Sequence, residues 1–166
     1  MNKAPIDILA DIVTTELELN PNRVWIFNQG FNIPTDNNLF GVIEFLNSKP
    51  VGVSKSYAYD VNNVDGSIII NTIENYRIQL ASVNTDAMTR IYEVPIAMNS
   101  YYATEQQGKY QFRIAQISSA ILNLSRLEAT RMLNRFAVDI SVFAWYKKTK
   151  TVPYYDTFDR EEVIEY

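Results

Sequence analysis

Side chains alternate with a period of two along two consecutive stretches of this chain, and that pattern constrains the fold more than any other feature. From Val51 to Val64 the apolar positions Val51, Val53, Tyr57, Tyr59 and Val61 share one parity. From Ser67 to Ser82 the same holds for Ile68, Ile70, Tyr76, Ile78 and Leu80, and the cluster Asn62-Asn63-Val64-Asp65-Gly66 turns the chain between them. The two stretches predict one long antiparallel hairpin. Phe136 to Lys147 alternates again, and Tyr110 to Leu122 begins with strict alternation, which adds two strands. Val24 to Phe27 is a short β-branched and aromatic run before the break Asn28-Gln29-Gly30. After the loop Pro34 to Asn38, Leu39 to Leu46 is apolar on both faces, as a central strand is, and Gly41 within it points to a bulge or a close backbone approach.

Helical spacing appears in two places. Leu9, Ile12, Val13 and Leu17, with Ile6 above them, repeat at three to four residues after Pro5, predicting an N-terminal helix from Pro5 to Leu19 that Asn20-Pro21-Asn22 ends. Met88, Ile91, Tyr92, Pro95, Met98 and Tyr102 form a second helical face behind the capping candidate Asn84-Thr85-Asp86. Pro95 should kink or split it, and Gln106-Gln107-Gly108 should close it. Asn123 to Asn134 contains good helix formers and reads as a short helix or an irregular connection. The expected fold class is α/β of the α+β type: a mixed, mainly antiparallel sheet with a long hairpin, packed by two or three α-helices. Residues 1–150 are expected to form one domain and 151–166 a C-terminal extension or arm.

Composition matters chiefly through its zeros. The 166 residues include no His and no Cys, which removes mechanisms built on imidazole or thiolate and zinc sites of the usual ligands. Fifteen basic residues against nineteen acidic give a net charge of −4, so sequence-independent DNA affinity is not expected. No stretch approaches the apolar length of a membrane span, and the N-terminus lacks the build of a signal peptide, so a soluble intracellular chain without membrane contact is expected. No glycine-rich phosphate loop is present, and Asp60, Asp65 and Gly66 miss the calcium-loop spacing. Neither a cofactor nor a metal is expected.

Without His, a general base falls to a carboxylate or a shifted Lys. Asp139 and Glu44 sit inside apolar strand patterns and would make an acid/base pair if they faced one pocket. On a half-exposed sheet they are simply the solvent face. Lys147, Lys148 and Lys150 beside Tyr146, Tyr154 and Tyr155 are the only basic cluster interleaved with aromatics. They read either as lysines near a DNA channel or as guards of a strand edge. Eleven tyrosines are an unusual count, several of them at loops and ends, among them Tyr101, Tyr102 and Tyr166. Such residues suit an assembly interface, for which Tyr57, Tyr59, Tyr154, Tyr155 and Phe158 are the candidates.

The element order resembles the tail-terminator and neck proteins of tailed bacteriophages. The residues that carry the likeness are Leu39-Phe40-Gly41-Val42-Ile43 followed by Pro50-Val51-Gly52, Tyr76-Arg77-Ile78-Gln79-Leu80 leading to Asp86-Ala87, and Asn134-Arg135-Phe136 before Val138 to Trp145. The likeness runs from about Pro5 to Lys147. It implies a sheet with helices on one face and a homohexameric ring at the head-proximal end of the tail, assembled in the host cytoplasm and carried in the virion at the tail–head junction. Such a ring ends tail polymerisation and joins tail to head. Its implied partners are further copies of itself, the tail tube, the sheath protein and the head–tail connector or neck proteins, with DNA passing through without tight binding. No catalytic residue comes with the resemblance. The other readings of the same residues are a head-completion, tail-tube or baseplate protein, and a small-ligand binding domain.

Overall fold

The structure is a computed structural model that describes residues 3–27, 34, 36–59, 63–110, 112–128 and 131–153. Helix α1 (Pro5–Glu16) leads through a 3-10 turn (Pro21–Arg23) into strand β1 (Val24–Ile26). Two strands of 20 residues follow, β2 (Phe40–Tyr59) and β3 (Asn63–Ser82), and then three helices, α2 (Asp86–Arg90), α3 (Glu93–Met98) and α4 (Tyr101–Tyr110). The chain ends in β4 (Phe112–Ile117), β5 (Leu122–Asn123), β6 (Arg126–Glu128) and β7 (Arg131–Pro153). This is a mixed α+β fold. Its sheet runs β1-β2-β3-β7-β4, with β5 and β6 also on β7; β1 pairs with β2 in parallel and every other pairing is antiparallel.

Pro5 at the first turn starts α1, and Ile8, Leu9, Ile12 and Val13 bury its inner face. The helix stops through a left-handed residue, Glu18 at φ 51°, with Leu19 N–H donating to Thr14 O and Glu18 N–H to Thr15 O. That is the Schellman pattern, here without its usual glycine. Together with α2–α4 the helix covers one face of the sheet. Ile43, Tyr76, Ile78, Leu80, Val138, Ile140 and Val142 meet Ile91, Val94, Ala97, Met98 and Ala103 there. A second, smaller cluster, Phe40, Val42, Ala81 and Leu133, lies apart from it with Trp25 and Val83 packed against it. Both faces of β2 near its start are therefore buried, as the apolar run from Leu39 predicts.

Several expectations are corrected. The strand from Leu39 and the first arm of the hairpin are one strand, β2, which continues through Asn47 to Pro50 by register shifts between Phe45 and Asn47 and between Pro50 and Gly52. Gly41 is at neither shift, and a Cβ there would meet Val24, Leu80 and Val13 at 3.6–3.7 Å, which is ordinary contact. Asn63 to Gly66 are not a turn but paired residues of β3, opposite Pro153 to Lys150. Pro95 lies within α3, in its first turn, and not at a break; the helical region splits into three at residues 91–92 and 99–100, and α4 runs past Gly108 to Tyr110. Its buried face is Ala87, Ile91, Val94, Ala97 and Met98, whereas Met88 and Tyr92 are exposed. Residues 122–128 form strands rather than a helix: β6 folds back on the start of β7, with Arg126 opposite Leu133, and Leu133 completes the smaller apolar cluster. Ladder pairing and burial of Leu133 outweigh the modest helix preference of that stretch. β7 begins before Phe136 and runs to Pro153, so the expected boundary at 150 falls within a strand, while residues 154–166 lie outside the described residues.

Candidate functional site

Glu44 and Asp139 lie in one cross-strand row with Arg77 between them, since Glu44 and Asp139 are each the ladder partner of Arg77. Arg77 donates Nε to Asp139 Oδ1 at 2.7 Å and a terminal nitrogen to Oδ2 at 3.0 Å, a bidentate pair. Glu44 accepts from Gln79 Nε2 at 3.1 Å, and Gln79 Oε1 in turn accepts from Arg135. One row further along, Ser141 Oγ donates to Asn75, whose amide donates to Asn47. The face away from the helices is thus tiled by cross-strand polar rows. The two carboxylates do not share a pocket, and the acid/base pairing considered from the sequence is replaced by an arginine-centred row that locks strand register.

On the helix side the sequence missed a buried carboxylate. Glu74 is only 5% exposed and accepts from three hydroxyls: Tyr76, Tyr146 at 2.6 Å and Thr72 at 3.3 Å. Burial first, and the adjacent Glu74 second, push both phenols well above the usual range. Alternation alone places Glu74 in the buried parity with Tyr76 and Ile78, which was the available signal; its polar character concealed it.

Beyond this cluster β2, β3 and β7 continue past their pairing with β1 and β4 as a three-stranded arm of residues 52–59, 63–71 and 145–153, with the start of α1 and Tyr110 still lining a pocket beside Trp145 to Lys147. The arm holds two of the candidate interface residues, Tyr57 and Tyr59, together with the three candidate lysines. Val53, Ile70 and Tyr146 form one cross-strand row, Lys55, Ile68 and Lys148 the next, and Tyr57, Gly66 and Lys150 the third. Tyr57 is 60% exposed, and its ring lies against Gly66 of β3, where a Cβ would stand 3.4 Å from it. Tyr59 is in β2 opposite Val64. Lys147 pairs with Ile69 and so belongs to the opposite face from Lys148 and Lys150. All three lysines are exposed on the stretch of β7 past Ala144, where β4 no longer pairs with it, which is an edge position of the kind lysine protects. Pro50, Lys49 and the shift at Gly52 do the same for β2. Tyr101 is exposed on α4, and Tyr102 packs against the core. Tyr154, Tyr155, Phe158 and Tyr166 lie outside the described residues.

Charge divides along the same line. Residues 52–71 and 145–153 hold four lysines against Asp60 and Asp65, which leaves eleven basic and seventeen acidic residues for the rest of the chain. An open cleft of about 860 Å³ lies elsewhere, between α3–α4 and β4, lined by Met98, Gln107, Phe112, Ile114, Ile117 and Trp145. Gln107 Oε1 accepts from Ile114 N–H there at 2.9 Å. Among the described residues no group of three acidic side chains converges as a metal site, and no helix is long and apolar enough to cross a membrane. No protein-family model and no curated protein matches the chain.

Proposed function

We propose that this chain is a structural virion protein of a tailed phage, a ring-forming subunit at the head-proximal end of the tail that ends tail polymerisation and connects tail to head. The observation that carries this reading is the arm: a three-stranded projection with exposed Val53, Tyr57, Ile68 and Ile70, basic on a chain that is otherwise strongly acidic. An apolar patch of this kind on a soluble surface marks an interaction site. The acid-rich remainder suits a channel that DNA crosses without adhering. The α+β fold with helices on one sheet face is the one the family resemblance implies, and the satisfied carboxylates of Glu44 and Asp139 support an assembly role over hydrolysis. In this reading the partners are further copies of the chain, the tail tube and sheath, and the head-side connector proteins.

Electron microscopy of the purified chain tests it. Closed rings are expected, because a heterologous contact that closes by rotation is how identical subunits cap a tube. Long helical filaments without rings would assign the chain to a tail tube instead. The cleft of about 860 Å³ beside β4 favours the second reading, a small-ligand binding domain, and saturable binding of a metabolite with no ring in any condition would establish that one.

A further inference from the structure

The helix-side face of β3 changes character at Thr72. Residues 72, 74, 76, 78 and 80 are buried in one parity, yet Ile70 and Ile68 in the same parity are exposed, with Val53 at 61% and Tyr146 at 46% beside Ile70. The start of α1 and Tyr110 still flank Tyr146, and beyond it the arm is a sheet face that the helical layer of this two-layer fold leaves exposed. A helical surface of matching character lies elsewhere on the same molecule. Met88, Tyr92 and Ile96 follow one another at four-residue steps, and Ile91 and Tyr92 keep right-handed helical backbone across the junction of α2 and α3. The three side chains are 50, 64 and 70% exposed, a stripe along one helical face that the described residues leave uncovered. The charges agree in sense. The arm is lysine-rich, while residues 3–18 and 86–110, which hold the helical layer, carry seven acids and three bases.

We infer that the arm of one copy packs its Val53–Ile70–Tyr146 face onto the Met88–Tyr92–Ile96 stripe of the next copy, which covers the sheet face that the arm's own helical layer leaves exposed. The inference rests on the ring reading above and assigns its two surfaces. Because the surfaces differ, the contact is heterologous: each copy offers an arm to one neighbour and a stripe to the other. Opposite charge across it steers the encounter and makes association weaken as salt rises.

Two full-length variants test the contact, Val53→Asp on the arm and Ile96→Asp on the stripe. Both positions are exposed, so each variant should fold, which far-ultraviolet circular dichroism checks. Native mass measurement should find the wild type in a high-mass species and each variant alone at the 19.1 kDa of a single chain. An equal mixture should give a species of twice that mass and stop there, because only the intact arm of Ile96→Asp and the intact stripe of Val53→Asp can meet. If either variant alone still associates like the wild type, the contact is overturned and the ring reading stands. A mixture that stays monomeric beside an associating wild type overturns it as well. A wild type that is monomeric throughout overturns both, while paired variants in an otherwise filament-forming chain uphold the contact and remove the ring.

Discussion

Tyr146 stands opposite Ile70 in the β3–β7 ladder, yet its hydroxyl reaches back along β3 to donate to Glu74 at 2.6 Å. The bond ties the first residues of the arm to the buried end of the sheet. It therefore limits how far the arm can swing relative to the helical layer. Tyr146→Phe should leave the secondary structure unchanged and lower unfolding stability by about 1 kcal/mol, below the usual range for a hydrogen bond to a charged acceptor because Tyr146 is half exposed. Urea unfolding of the variant measures it. A loss within error would show that the bond contributes nothing to holding the arm.

The same cluster should make the protein lose stability in alkali. Tyr76 and Tyr146 keep their protons in the folded state well above the ordinary phenol value, through burial and then through Glu74. Below about pH 10 both folded and unfolded chains hold these protons, and the stabilisation is fully present. Above it the unfolded chain releases them while the folded chain does not, so stability falls as pH rises. In a near-ultraviolet alkaline titration, two of the eleven tyrosines should ionise only together with the loss of circular dichroism. Smooth ionisation of all eleven in a folded chain would contradict this.

Asp139→Asn and Glu44→Gln should alter stability and leave no chemistry to lose. Asp139 holds the Arg77 fork at partial exposure, with the two side chains 36% and 26% accessible, so its replacement should cost about 0.5–1 kcal/mol and less in high salt. Glu44, with a single amide donor, should cost less. A hydrolytic activity abolished by either change would overturn the assembly reading.

Glu18 ends α1 in a left-handed conformation that favours glycine. Glu18→Gly should stabilise the protein by about 1 kcal/mol, the usual penalty for a side chain in that region. Gly41→Ala should also stabilise, by about 0.5–1 kcal/mol, because a methyl there meets its neighbours at ordinary contact distance and the unfolded chain loses freedom. Thermal melts of both variants check the sign. A destabilised Gly41→Ala would mean that Val13 and Leu80 cannot give way.

Removing residues from Tyr154 onward tests whether the C-terminal segment acts in assembly. The strands up to Pro153 have their own ladder partners, so the truncated chain should keep its circular dichroism. On the proposed ring reading, in which Tyr154, Tyr155 and Phe158 would serve as aromatic anchors in an acidic segment, ring formation or attachment to heads should weaken. Undiminished assembly would remove that role.

Periodicity by itself determined the α1 helix, the long hairpin and the buried parity of Tyr76, Ile78 and Leu80, because these depend on which residues follow one another along a single chain face. It also brought out the acidic residues of the polar parity and the lysine cluster. Tertiary structure decided what pairs with what. Asn47 to Pro50 look like a break, but an edge that has lost its β1 neighbour tolerates both Pro50 and a register shift, so β2 continues through them. The stretch before Leu133 prefers helix weakly, and pairing with β7 overrides it. Met88 and Tyr92 read as inward residues from spacing alone, yet the packing of α2 and α3 against α1 and the sheet turned Ala87, Ile91 and Val94 inward and left the stripe outside. Spacing defines a face; only the neighbours that cover it decide whether that face is core or surface. For the same reason Glu44, Arg77 and Asp139, distant in sequence, became one row only when three strands took their register.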